Sequence, residues 1–256
     1  MPTAKPEHEL STGARPTGAV TETDAAANVQ QMFDTIAPSY DKLNHILSAG
    51  IDRWWWWRAA RNFRTVLARP ESVILDLCCG TGDMTMALYK HRPKSPSDAP
   101  ILALDFSHQM LSRGAQKFAP HNILPIEADA LHLPLADNSV DLVTAAFGFR
   151  NLANYEEGLA ELHRVLRPGG QIGILECNQP EGLTGALYSL YFRKILPLLG
   201  GMISGDRGAY TYLPESVARF PRPPRMKQLI TAAGFQDAQW TGYTFGTAGL
   251  YRATKP

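Results

Sequence analysis

Ser72-Val-Ile-Leu-Asp76-Leu-Cys78-Cys79-Gly80-Thr81-Gly82-Asp83 decides how this chain folds. Its first seven residues are an apolar run that predicts a strand, Ser72–Cys78. Two glycines follow, and Met84–His91 then reads as a helix. A strand, a glycine loop and a helix N-terminus in that order form the unit at which open α/β sheets bind ligands. The same alternation continues outward. Strands are predicted at Ile101–Asp105, Ile123–Ala128, Val140–Phe147 and Gln171–Glu176. Helices are predicted at Ser107–Phe118, with Ser107 as N-cap, and at Asn154–Leu166, ended by Pro168-Gly169-Gly170. Pro224–Ala233 reads as a last helix. Gln236–Tyr243 and Thr247–Thr254 read as antiparallel neighbours around Phe245-Gly246. The expected fold is an α/β, Rossmann-like, seven-stranded, mostly parallel sheet with an antiparallel C-terminal strand.

The glycine loop does not match the dinucleotide fingerprint, because Thr85 stands where a third glycine is required. An acidic residue, Asp76, precedes it. A carboxylate there would repel a pyrophosphate but could meet a cationic amine, directly or through water. Asp105 ends the second strand 23 residues after Gly82, where a carboxylate can accept from ribose hydroxyls. The third strand leads to Asp129, an acceptor for an adenine amino group, and to Ala130, a backbone contact. Together Asp76, Gly80, Thr81, Gly82, Asp105, Asp129 and Ala130 predict a site for S-adenosyl-L-methionine.

Upstream, residues 1–27 carry few large apolar side chains and several prolines, and predict a disordered tail. Residues 28–69 predict a helical cap of three helices, broken at Pro38 and ending before Pro70, with the third helix spanning Ile51–Leu67. Residues 28–256 would form one domain. The 256 residues carry a net charge of +1, with 45% hydrophobic and 19% charged content. Near-neutral charge offers no electrostatic footprint for nucleic acid. No uninterrupted apolar run is long enough for a membrane span. Three cysteines, two of them adjacent, fit neither a disulfide framework nor a zinc site, so no metal is expected. No secretory signal is visible, which predicts a cytoplasmic location.

Five segments resemble the ubiquinone/menaquinone biosynthesis C-methyltransferase family among the class I methyltransferases. They are Met32-Phe33-Asp34…Tyr40-Asp41-Lys42-Leu43-Asn44…Leu47-Ser48; Asp76–Asp83; Ala128-Asp129-Ala130-Leu131…Leu133-Pro134; Phe147-Gly148-Phe149-Arg150-Asn151; and Gly205-Asp206…Tyr210…Tyr212-Leu213…Ser216. The second is shared widely among methyltransferases. The Tyr-Asp…Leu-Asn, Phe-Gly-x-Arg-Asn and Tyr-x-Tyr-Leu segments are far more specific. The resemblance implies methyl transfer from S-adenosylmethionine to a ring carbon of a polyprenylated quinol, with demethylmenaquinol first. The alternatives are a ubiquinone-precursor benzoquinol, or a non-catalytic accessory protein that binds prenyl quinones. It places cofactor contacts on Thr81, Asp105, Asp129 and Ala130. Some members have a serine where this chain has Ala146.

The chemistry asks for alignment of the ring carbon and for stabilisation of a developing phenolate. Arg150 and Asn151 follow the fourth strand and are the expected catalytic pair. Arg150 is expected to stabilise the phenolate or orient the substrate rather than act as a base. Tyr210, in an expected substrate lid over residues 183–220, is a candidate substrate contact. Tyr40, His132, His163 and Asp206 are chemically able to act as base, and none stands out. The expected partners are a prenylated naphthoquinol, a second copy of the chain and a membrane inner face touched peripherally. The apolar stretch Leu183–Ile203 reads either as a core helix plus loop or as part of a groove and lid for a prenyl chain. Trp54-Trp55-Trp56-Trp57 must fan so widely around a helix that one Trp at least is exposed, which suits a membrane interface or a protein contact.

Overall fold

The structure, a computed structural model, describes residues 12–38, 40–94, 99–180, 185 and 208–256. Seven strands build one sheet: β1 (Ile74–Leu77), β2 (Ile101–Asp105), β3 (Ile123–Glu127), β4 (Val140–Ala146), β5 (Leu166–Cys177), β6 (Gln236–Tyr243) and β7 (Ala248–Thr254). Their order is β3-β2-β1-β4-β5-β7-β6. The first five pair in parallel, and β7 runs antiparallel to both β5 and β6. The chain leaves β1 toward β2 and β3, then returns to β4 on the other side. That reversal opens a crevice above the C-terminal ends of β1 and β4.

The central strands are continuous apolar runs because helices cover both their faces. Every residue of β1 and β2 is buried. β3 lies at the edge and tolerates Pro125, whose missing N–H would leave a gap in a central ladder. One face packs against α7 (Tyr155–Val165) and α9 (Pro223–Ala232) through Leu159, Leu162, Met226 and Ile230. The other face is covered by α3 (Ile51–Arg61), α4 (Arg64–Leu67), α5 (Asp83–His91) and α6 (His108–Phe118), through Phe63, Leu67, Leu88 and Phe118. Phe63 is 2% exposed, so its truncation to Ala costs about 3–5 kcal/mol.

Three boundaries differ from expectation by more than two residues, for local reasons. The helix expected over Ile51–Leu67 breaks at Asn62-Phe63, where α3 ends and Phe63 turns inward. β5 begins at Leu166, because Leu166 already pairs with Val140 across a register shift. Residues 12–27 of the expected tail are described and fold onto the domain. α1 (Glu22–Ile36) starts inside that tail, nucleated by a capping box in which Thr21 Oγ1 accepts from Asp24 N at 3.1 Å and Asp24 Oδ2 accepts from Thr21 N at 2.9 Å. Ahead of α1, the Ala14 N–H donates to Leu152 O and the Tyr155 N–H to Thr12 O, seating this segment beside the crevice. α2 (Tyr40–Leu47) completes the cap, and α8 (Gly208–Arg219) leads into α9. Apart from Gly185, Leu183–Ile203 lies outside the described residues, as do Asp206 and the side chain of Tyr210 in α8. No helix among the described residues is long and apolar enough to cross a membrane.

Candidate functional site

The crevice holds a cavity open to solvent on one side. Strand ends supply its polar floor. Gly80 follows β1, Asp105 ends β2, and Asp129 and Ala130 follow β3; all four line the cavity. Asp105 is 6% exposed, and burial pushes its pKa up to about 6, against the N–H groups of Ser107 and Gly80. Those N–H groups reach one carboxylate oxygen each, at 2.9 and 2.8 Å. A carboxylate oxygen has more than one acceptor site, so both retain capacity for hydroxyl donors. Asp129 accepts from Leu131 N at 2.9 Å, which fixes its turn at the rim.

An aromatic wall faces this floor. Phe33 meets Tyr40 and Phe106 edge-on, with centroids 5.9 and 6.5 Å apart. Burial raises the Tyr40 pKa to about 12, with Arg150 opposing it, so Tyr40 stays a neutral phenol. Two clasps hold the helical cap over the cavity. Gln30 Nε2 donates to Phe106 O at 2.7 Å and Ser107 Oγ to Asp34 Oδ1 at 2.6 Å, fixing α1 above β2. Lys117 Nζ lies 3.0 Å from both Asp41 and Asp83, and Thr81 Oγ1 donates to Asp41, fixing α2 over the glycine loop.

Several expected contacts are placed elsewhere. Asp76 does not line the cavity: it is fully buried, and its oxygens accept from Thr85 Oγ1 at 2.6 Å and Thr144 Oγ1 at 2.7 Å. It ties β1 to α5 and β4 beneath the floor, and burial pushes its pKa up to about 7. Thr81 is likewise absent from the lining and serves the Asp41 clasp. Gly82 caps α5 at φ +88°, and a Cβ there would lie 2.2 Å from the Phe118 ring, so packing demands this glycine.

The expected catalytic pair is split. Asn151, in the 3-10 turn Phe149–Asn151 after β4, lines the cavity, and its Oδ1 accepts from Tyr212 Oη at 3.0 Å. Arg150 does not line it. Its side chain points behind the wall, where Nη1 donates to Glu176 Oε2 at 2.9 Å and also to Phe147 O. Burial alone would lower the Arg150 pKa, and the Glu176 carboxylate more than offsets this and drives it up. Gly148 is required because a Cβ would meet Cys78 Cβ at 2.3 Å, where the ends of β1 and β4 nearly touch. Of the residues able to act as base, Tyr40 lines the cavity. His132 stands outside on Asp129 at 3.2 Å, and His163 packs against Phe235 on the far face.

Sequence reasoning missed Glu176, Lys117 and the clasps. Glu176 had a signal: a carboxylate at the inner end of an apolar strand needs a buried cation. Lys117 had none, since its partners Asp41 and Asp83 lie far away in the chain.

S-adenosylmethionine fits these residues. The Gly80 α-carbon faces open cavity, with Tyr40 Cε1 at 3.9 Å as the nearest atom to an added Cβ, and acidic acceptors stand at the ends of β2 and β3. The topology and this crevice define a Rossmann-like S-adenosylmethionine-dependent methyltransferase. Solved structures share the fold: an SAM-dependent methyltransferase from Thermotoga maritima aligns with 89% of this chain and 100% of its own at a TM-score of 0.62 and 16% identity. One from Aquifex aeolicus covers 77% and 89% at a TM-score of 0.55 and 17% identity. The chain belongs to the ubiE/COQ5 methyltransferase family, whose model matches residues 20–255. It is 46% identical to the demethylmenaquinone methyltransferase of Deinococcus radiodurans, over 91% of this chain and 94% of that one. The protein of that name from Thermus thermophilus is 44% identical over 88% and 100%. The ubiquinone/menaquinone biosynthesis C-methyltransferase UbiE of Geotalea daltonii is 39% identical over 91% and 98%.

Proposed function

We propose that this enzyme methylates a ring carbon of demethylmenaquinol, a prenylated naphthoquinol. The observation that carries the reading is the near-full-length match to demethylmenaquinone methyltransferases, with the Phe-Gly-Phe-Arg-Asn segment delivering Asn151 to the cavity. S-adenosylmethionine, when bound, supplies an electrophilic methyl group. Gly80, Asp105, Asp129 and Ala130 hold it on the floor of the crevice. Thr81 acts indirectly, by keeping α2 closed.

The residues around the ring explain how a weak carbon nucleophile is activated. Asn151 commits its carbonyl oxygen to Tyr212, which leaves its amide N–H groups free to donate to a quinol oxygen as negative charge develops there. Arg150 cannot accept a proton. Held by Glu176 just behind Asn151, it adds fixed positive charge in a low-dielectric wall. Apolar side chains at Phe147, Leu131 and Leu152 exclude water from the ring. Tyr210 remains a proposed substrate contact. A benzoquinol precursor of ubiquinone is the second reading, favoured by the relative from Geotalea daltonii that carries both names.

Purified enzyme incubated with S-adenosylmethionine and reduced demethylmenaquinol should give methylated menaquinol by mass spectrometry. Methylation of the benzoquinol alone would move the substrate to the second reading. Absence of methylation on either quinol would defeat both.

A further inference from the structure

The four-tryptophan run resolves into two inward and two outward residues. At 100° per residue, Ile51, Trp54, Trp57, Arg58 and Arg61 fall within an arc of about 120° on α3. The opposite arc is buried: Asp52, Ala59 and Ala60 are nearly inaccessible, and Trp55 and Trp56 pack into the core. On the outward arc Ile51 is 39% exposed, Trp54 44% and Trp57 42%. Arg58 and Arg61 lie over the Trp54 and Trp57 rings at 5.9 and 5.1 Å, so cations and indoles form one surface.

A second element extends this surface. Trp55 Nε1 donates to Thr244 Oγ1 at 2.8 Å, and Trp54 meets Tyr243 edge-on with centroids 5.6 Å apart. These contacts bring the β6–β7 connection beside α3. At its tip Phe245 adopts φ +55°, a left-handed conformation unfavourable for a bulky residue, and is 86% exposed. An aromatic ring held outward on strained backbone buries little apolar surface in the fold.

Charge selects the occupant. Between residues 51 and 69 five arginines stand against one acid, Asp52, in a chain whose total is only +1. Asp52 is buried and held 2.6 Å from His45, so the outward face carries cations alone. Indole and phenyl rings beside arginines match the boundary between acyl chains and anionic headgroups. Inside this surface, Trp55 packs on Phe147 with centroids 5.7 Å apart, and Phe147 lines the cavity. One side-chain layer separates the outward face from the proposed quinol site.

We propose that α3 and the Phe245 tip form a docking surface for an anionic lipid bilayer, through Ile51, Trp54, Trp57 and Phe245 inserted among headgroups bound by Arg58 and Arg61. This deepens the quinol reading and rests on it for its purpose, since a prenylated ring resides in a membrane and docking would bring the crevice to it.

Co-sedimentation with vesicles tests the surface without any quinol. The full chain should pellet with equimolar phosphatidylglycerol and phosphatidylcholine, bind phosphatidylcholine alone far more weakly, and detach as salt rises. Arg58→Gln/Arg61→Gln should lower partitioning on the order of twentyfold, about fivefold per arginine. Phe245→Ser, at a site that packs against little, should lower it about tenfold. Trp57→Ser added to it should lower it further. Every variant should keep wild-type cofactor affinity and wild-type turnover on a short-chain quinol in detergent. Failure to pellet, equal binding to both vesicle types, or variants that pellet like wild type would overturn the proposal. Detergent-phase turnover reports separately on the quinol reading, so the two cannot fail under one disguise.

Discussion

The Arg150–Glu176 pair allows the sharpest test of how this site is built. The two side chains are 8% and 0% exposed, and Glu176 also accepts from the N–H groups of Arg150 and Cys177 at 3.0 and 3.1 Å. Replacing Glu176 with Ala strands a buried guanidinium and an N–H in the turn that presents Asn151. Breaking a buried pair on one side costs about 3–5 kcal/mol. With a urea slope of about 2–3 kcal/mol per molar, the unfolding midpoint should fall by about 1–2.5 M. Arg150→Met should behave alike, leaving a lone buried carboxylate. The double variant Arg150→Met/Glu176→Leu removes both charges at similar volume, so it should recover most of the stability. Turnover should not recover, because the fixed cation behind Asn151 is gone, while cofactor affinity should stay near wild type. A loss under about 1 kcal/mol in Glu176→Ala, or a double variant no more stable than either single, would refute the ion-pair account. Near-normal turnover in the double variant would refute the electrostatic role of Arg150.

The same logic applies at other positions. Asp76 and Asp105 have carboxyl pKa values raised by burial to about 7 and about 6. The folded chain therefore holds these protons more tightly than the unfolded chain. That stabilisation is full below about pH 4 and is lost as pH rises through about 6 and 7. Asp76→Asn should flatten the stability profile between pH 4 and 8 by up to about 4 kcal/mol in urea titrations at stepped pH; an unchanged slope would exclude Asp76 as its source. Gly82→Ala meets Phe118 at 2.2 Å and should destabilise by about 1–3 kcal/mol, partly rescued by Phe118→Leu. Gly80→Ala points into open cavity, so calorimetry should show lost cofactor affinity with a stability change of only about 1–2 kcal/mol; the reverse pattern would invert the two roles. Asp41→Asn should weaken cofactor binding while changing stability by about 1 kcal/mol or less, since the side chains of its clasp are about a third exposed; unchanged affinity would mean that the clasp does not hold the cap.

Periodicity and loop chemistry made most of the sheet legible. Ile101–Asp105 and Gln236–Tyr243 begin and end where their apolar patterns do, and Ser107 caps α6 as its side chain predicts. The four-tryptophan run was also readable, since a helix cannot bury four consecutive residues. The start of α1 was readable in principle but missed, because Thr21 and Asp24 signal a helix that the sparse apolar residues around them conceal. The cavity floor was half legible. The end of β2 and the turn after β3 bring Asp105 and Asp129 to the cavity lining, as strand ends at the crevice lead one to expect. Asp76 lies one residue inside the end of β1 and its oxygens accept from Thr85 and Thr144, and spacing alone cannot show that two hydroxyls wait there. Arg150 and Asn151 are adjacent in the chain yet point to opposite sides of one 3-10 turn. Glu176, contributed by another strand, decides which of them faces the cavity.

Methyl transfer itself tests the account most directly. Enzyme, reduced demethylmenaquinol and S-adenosylmethionine labelled in its methyl group should yield labelled menaquinol, with the label on the naphthoquinol ring carbon. Label that stays entirely in the cofactor, with cofactor binding intact, would contradict it.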